Sequence, residues 1–157
     1  MANSTRDSES QDMLQSIFAM QADLNDYIFV KNDLRDKDGK PLNMQAIADD
    51  IERGRLSVND LPNRWLGCNA RAMEEELEEL KDELLWKWWS KDEIDLQNIR
   101  VELVDLLHFL VSAMLCAGLT ADRLHDVYCQ KHAVNVSRQD SGYCKESKTE
   151  DDNRTIQ

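Results

Sequence analysis

The stretch IRVELVDLLHFLV, residues 99–111, decides how the chain folds. It sits within a run from about 97 to 117 that is apolar on nearly every side, too continuous for a surface helix. The pattern predicts a central, buried helix closed by Gly118. Glu102 and Asp105 interrupt it three residues apart, projecting roughly 60° from one another on one side of the axis. An unpaired buried carboxylate is strongly disfavoured or takes up a proton. On a half-exposed helix both acids would be solvated or would pair with Arg100. Here the flanking Val, Leu and Phe side chains leave little polar face, which favours a divalent cation as their partner.

Working outward, the same periodicity predicts four more helices and no strands. A first helix runs over about 11–30, with Met13, Leu14, Ile17, Phe18, Leu24 and Ile28 inward. Asp38-Gly39-Lys40-Pro41 is a turn, followed by a short helix over about 43–53 that Gly54 ends. SVNDLPN is a loop, and Pro62 sets off the next segment. A third helix covers about 64–89, with Met73, Leu77, Leu80 and Leu84 at helical spacing. Thr120 caps a fifth helix over about 121–137. The expected fold is an all-α helical bundle: one domain over 10–145, with flexible polar tails at 1–9 and 146–157.

Composition narrows the function. A formal net charge of -12 argues against a nucleic-acid backbone binder, which needs a basic face. The longest apolar stretch, Val101–Leu119, contains Glu102, Asp105 and His108, which makes a poor membrane span and a good buried helix. Cys68, Cys116, Cys129 and Cys144 show no metal-ligand spacing and fit reduced thiols in a cytoplasmic protein. No secretory signal pattern is visible in MANSTRDSESQD.

The stretch RAMEEELEELKDELLW offers partners for the two acids of the fourth helix. Most Glu-rich helices are solvated faces, and Glu74, Glu75, Glu78 and Asp82 fit that reading. Glu76, Glu79 and Glu83 lie along one shoulder of the Leu77/Leu80/Leu84 stripe. A register using Glu75 and Glu78 is also open; Glu76 and Glu79 are preferred because they flank the stripe. If that shoulder faces Glu102 and Asp105, four carboxylates converge, an oxygen-only set suited to Mg²⁺.

Two further stripes change character along their length. On the fifth helix, Leu124, Val127 and Tyr128 continue into Lys131, Asn135 and Arg138, which either become solvated or hold phosphate oxygens. On the first, Gln21 and Asn25 share the stripe of Leu14, Ile17, Leu24 and Ile28. They are either satisfied core amides or readers of a nucleobase edge. Trp86, Trp88 and Trp89 are expected to be core or interface anchors, with one indole free to stack on a base. His108 reads as a satisfied core histidine. Carboxylates, cations, amides and an aromatic together suit a nucleoside triphosphate attacked by metal-activated water.

QADLN (21–25), EELEEL (75–80) with WKWW (86–89), ELVDLLHF (102–109) and KHAVNVSRQDSGY (131–143) together resemble the dimeric, all-α dUTPases of the phage and bacterial kind, within the MazG-like pyrophosphatases. The resemblance implies hydrolysis of dUTP to dUMP and diphosphate by a homodimer in the cytoplasm, with two or three Mg²⁺ ions per site. It implies Glu76, Glu79, Glu102 and Asp105 as metal ligands and catalytic groups, and Gln21 and Asn25 as uracil-edge contacts. Trp88 and Phe109 would line the base, and Lys131, Asn135, Arg138 and Tyr143 would contact phosphate and sugar. The competing expectations are a pyrophosphatase of the same fold acting on dCTP or a modified nucleotide, and an acidic helical interaction protein without catalysis.

Overall fold

The computed structural model describes residues 4–140, 142, 151–154 and 156, and side chains from 13 onward within that range except those of 151 and 152. They form α1 (Ser4–Lys31), α2 (Met44–Glu52), α3 (Leu61–Asp82), α4 (Leu96–Cys116), α5 (Ala121–Asp140) and the short α6 (Asp151–Arg154). Among the described residues there is no strand, only an isolated bridge between Arg35 and Pro41. The all-α expectation holds. No single helix among them is long and apolar enough to cross a membrane.

The chain falls into two compact units, Ser16–Gly118 and Met1–Gln15 with Leu119–Gln157. In the first of these, α3 and α4 pack along one another, and α2 lies against both. Its core gathers Phe29, Leu42, Ile47 and Cys116, with Leu34, Met44, Ala46, Ile51, Leu61, Trp65 and Leu66 around them. Phe29 and Trp65 meet with ring centroids 4.7 Å apart. The hydrophobic centre therefore sits where the end of α1, the 34–42 turn, α2, the start of α3 and the end of α4 converge.

Local chemistry fixes the boundaries. Asn43 caps α2, its side chain accepting from Ala46 N, and Asp26 of α1 accepts from Met44 N at 2.6 Å. Gly54 and Gly118 follow α2 and α4 with φ of 67° and 75°, a conformation that costs an L side chain roughly 1–2 kcal/mol. Asp95 caps α4 by accepting from Gln97 N and Asn98 N, and Thr120 Oγ1 accepts from Arg123 N at the start of α5. The 90–97 stretch thus contains the start signal of α4.

Two expectations need correction. The third helix ends at Asp82, not near 89, so LLWKWWS lies outside it. Trp86, Trp88 and Trp89 are 75%, 89% and 61% exposed, packed edge-on against one another rather than into a core. The fourth helix is buried only at Val111, Ser112, Ala113 and Cys116. Val101, Leu103, Val104, Leu107 and Leu110 are exposed, because the core forms around the end of this helix and leaves its first half with an uncovered apolar side.

The second unit is built on α5 and α6 with the start of α1, where Gln15 Nε2 donates to Asp122 Oδ1 at 3.0 Å. Lys131 on α5 donates to Asn153 of α6.

Candidate metal centre

The α3–α4 packing brings Glu76 to Glu102 and Asp105. One carboxylate oxygen from each lies within 4.8 Å of the others, and all three residues are half-buried. The spacing follows from helix geometry: Glu102 and Asp105 are neighbours one turn apart on α4, and Glu76 faces them from α3. Asn98, one turn earlier, donates to Glu102 Oε1 at 3.3 Å. No ion pair among the described residues involves any of the three acids.

Like charges this close resist joint ionisation. Burial, and then the charges of Glu79, Asp105, Glu102 and Glu75, push the Glu76 carboxyl above its usual range. Such a set attracts a hard divalent cation that takes oxygen ligands and neutralises them together. The residues present fit Mg²⁺ on that ground: carboxylate oxygens only, from two rigid helices.

Glu79 is exposed and outside this group, although after burial its charge is the largest of the charges acting on Glu76. Glu75 and Glu78 are exposed, and Glu78 pairs with Lys81 at 2.6 Å. Phe109 is half-buried on α4, one turn beyond Asp105. Trp88 lies in the 83–95 connection against Trp89, with ring centroids 5.5 Å apart.

Gln21 and Asn25 form a closed network with α4. Gln21 Nε2 donates to Asn25 Oδ1 at 3.0 Å and to Ser112 Oγ at 2.9 Å. Asn25 Nδ2 donates to Ser112 Oγ at 3.1 Å and lies 3.6 Å from Met44 Sδ. His108 Nδ1 meets Gln21 Oε1 at 2.6 Å. His108 is exposed, not the core histidine its apolar neighbours suggested. Ser112, His108 and Asn98 escaped the sequence reading as site residues. The available signal was their spacing of one turn from His108, Asp105 and Glu102, respectively, along α4.

Lys131, Asn135 and Arg138 lie on α5, within roughly 60° of one another around its axis. Lys131 and Arg138 are half-buried and Asn135 is exposed. Tyr143 lies outside the described residues.

The unit is all-α, and its carboxylate cluster between two packed helices offers oxygen ligands to a divalent cation. The family model for dUTPase matches residues 13–120, and the chain belongs to that family. It is similar to a dCTP pyrophosphatase of Enterobacteria phage T4, 27% identical over 94 residues, covering 60% of this chain and 48% of that protein. It is also similar to a dCTP pyrophosphatase of Enterobacteria phage LZ5, 31% identical over 72 residues, covering 38% of this chain and 42% of that protein. The chain thus spans less than half the length of these curated relatives. No solved structure matches it.

Proposed function

We propose that the chain is a Mg²⁺-dependent nucleoside triphosphate pyrophosphohydrolase acting on dUTP, releasing dUMP and diphosphate. The observation that carries this reading is the convergence of Glu76, Glu102 and Asp105 between α3 and α4. Membership of the dUTPase family supports it. Those three carboxylates would hold the metal. When bound, Mg²⁺ supplies charge neutralisation for the triphosphate and a water of lowered pKa. Glu79, exposed one turn from Glu76, is the group suited to take the proton of the attacking water. Lys131, Asn135 and Arg138 have the chemistry for phosphate oxygens, and Tyr143 for the sugar. Trp88 is exposed and able to stack on a base face, and Phe109, half-buried on α4, would line the base as well.

A second reading, with dCTP as substrate, is favoured by the likeness to the two phage dCTP pyrophosphatases. The test is diphosphate release from each common dNTP and dUTP, with Mg²⁺ and with chelator. The expected result is fastest release from dUTP and none with chelator. Fastest release from dCTP would favour the second reading, and no release from any nucleotide would overturn both.

The exposed apolar side chains Leu24, Ile28, Leu103 and Leu110 support the homodimer of this reading, since a second copy would cover them. Sedimentation equilibrium is expected to give twice the 18.2 kDa of the chain, and a mass that stays at 18.2 kDa at all concentrations would refute the dimer.

A further inference from the structure

Helix α5 carries a group of soft donors outside the carboxylate site. His125, Cys129 and His132 stand at i, i+4 and i+7, within roughly 60° of one another around the axis. Their face is centred roughly 120° away from the stripe of Lys131, Asn135 and Arg138 on the same helix. All three side chains are exposed, as is Asp126. The cysteines have no metal-ligand spacing among themselves; the spacing here joins one thiol to two imidazoles.

Cys129 Sγ and His125 Nε2 lie 3.7 Å apart. A thiol is a weak donor, so as a hydrogen bond this contact contributes little at an exposed position. It is also the separation that a tetrahedral Zn²⁺ ion imposes on two of its ligands. With Zn–N of about 2.05 Å and Zn–S of about 2.3 Å, the nitrogen and sulfur stand roughly 3.6 Å apart. Two side chains one turn apart therefore already hold the spacing of a bound pair, with the helix unchanged.

The far side of the same ring fits as well. His125 Nδ1 lies 3.7 Å from Asp126 Oδ1, within a small side-chain rotation of a hydrogen bond. A metal-bound imidazole commonly gives its remaining N–H to a carboxylate, which fixes the tautomer and makes the ligating nitrogen more basic. His125 presents that order, Nε2 toward the sulfur and Nδ1 toward the acid. His132 follows Cys129 by one turn, and helical side chains lean toward the N-terminus, which lets its ring reach back over the turn that holds the thiol.

We propose that His125, Cys129 and His132 form a second metal site, one for Zn²⁺, with Asp126 as the positioning residue of the His125 ring and water in the fourth position. Binding releases the thiol proton to solvent and leaves a thiolate–metal bond that clamps successive turns of α5. Thiolate and imidazole suit Zn²⁺, whereas the oxygen-only cluster of α3 and α4 suits a hard cation. The chain thereby sorts two divalent cations by donor chemistry. The α5 site does not depend on the pyrophosphohydrolase reading and stands whether or not any nucleotide is hydrolysed.

The test uses the full chain, kept reduced by a phosphine, with Co²⁺ as a spectroscopic stand-in for Zn²⁺. Wild type is expected to develop a thiolate-to-cobalt charge-transfer band, to keep it in a molar excess of Mg²⁺, and to lose it when Zn²⁺ is added. Cys129→Ser is expected to abolish the band, and Glu76→Gln to leave it unchanged. Competition with a chromophoric chelator is expected to show Zn²⁺ affinity reduced about 100-fold in His125→Gln and about 10-fold in His132→Gln and Asp126→Asn. All four α5 positions are exposed, so these variants should keep the far-UV helical signal. Absence of the band in wild type, or its survival in Cys129→Ser, overturns the site. Loss of the band to Mg²⁺ or in Glu76→Gln would place the ion among the carboxylates and overturn it equally. A Zn²⁺ affinity in His125→Gln equal to wild type overturns the pair, and the same result in His132→Gln overturns the third ligand.

Discussion

Asp105→Asn is expected to lower Mg²⁺-dependent diphosphate release by about 10³-fold or more while leaving the far-UV helical signal intact. The substitution preserves size and one carbonyl oxygen and deletes a charge. Asp105 belongs to a group whose oxygens all lie within 4.8 Å, so it cannot be replaced by a neighbouring acid without moving α3 against α4. A hard cation depends on that anionic oxygen, and an amide oxygen holds it far less well. The stability readout is independent of turnover. At a Mg²⁺ concentration 100 times the dissociation constant, wild type should gain about 2.7 kcal/mol, a gain Asp105→Asn should lose. Turnover within about tenfold of wild type, with the Mg²⁺-dependent rise in Tm retained, would show that the cluster is not the metal site.

How far the sequence revealed the molecule differs from helix to helix. The all-α class followed from 3.6-residue periodicity sustained over long segments, with Gly54, Gly118 and Thr120 marking ends that the structure keeps. Periodicity overreached at 83–89. Leu84, Leu85 and the three tryptophans continue an apolar pattern, but all five are exposed among the described residues, and the helix stops at Asp82. Hydrophobicity likewise says that a face is apolar, not which element covers it. The first half of α4 reads as core and is exposed along Leu103, Val104 and Leu107. The actual core uses Leu42 and Ile47, from the stretch whose short loops gave the weakest pattern.

The approach of Glu76 to Glu102 and Asp105 was legible because carboxylates on an apolar helix are costly and their spacing can be computed from one dimension; the same geometry also placed Glu79 there, which lies outside the group. Placing Glu76 rather than Glu75 or Glu78 across from α4 followed from the same geometry, since Glu76 borders the stripe that α3 turns toward its neighbour. The hydrogen-bond network was not legible. Gln21 and Asn25 were conspicuous as polar residues on an apolar stripe, but their partner Ser112 is 91 residues from Gln21. Serine in a helix carries no signal of its own, because its hydroxyl commonly bonds back to the carbonyl one turn earlier. Only the packed structure shows that the hydroxyl making this back-bond also meets two amides, one of which meets the His108 ring.

Glu76→Gln is expected to stabilise the metal-free protein at neutral pH while removing most of its activity. Burial, and then the charges of Glu79, Asp105, Glu102 and Glu75, hold the Glu76 carboxyl above the ordinary value of 4.5. The folded state therefore binds this proton more tightly than the unfolded chain. Its ionisation works against folding: the cost is absent well below 4.5, grows as pH rises through the raised folded value, and is fully present above it. Glutamine keeps the shape without the charge, so melts in chelator should show the variant above wild type at pH 7 to 8, with the two converging near pH 4. Adding Mg²⁺ should reverse the order, because the cation neutralises the acids of wild type and binds the variant poorly. Diphosphate release by the variant should fall about 10²- to 10³-fold. A variant less stable than wild type in chelator at neutral pH, with wild type indifferent to Mg²⁺, would mean that Glu76 is held by contacts in α3 and α4 and that its repulsion with Glu102 and Asp105 serves no cation.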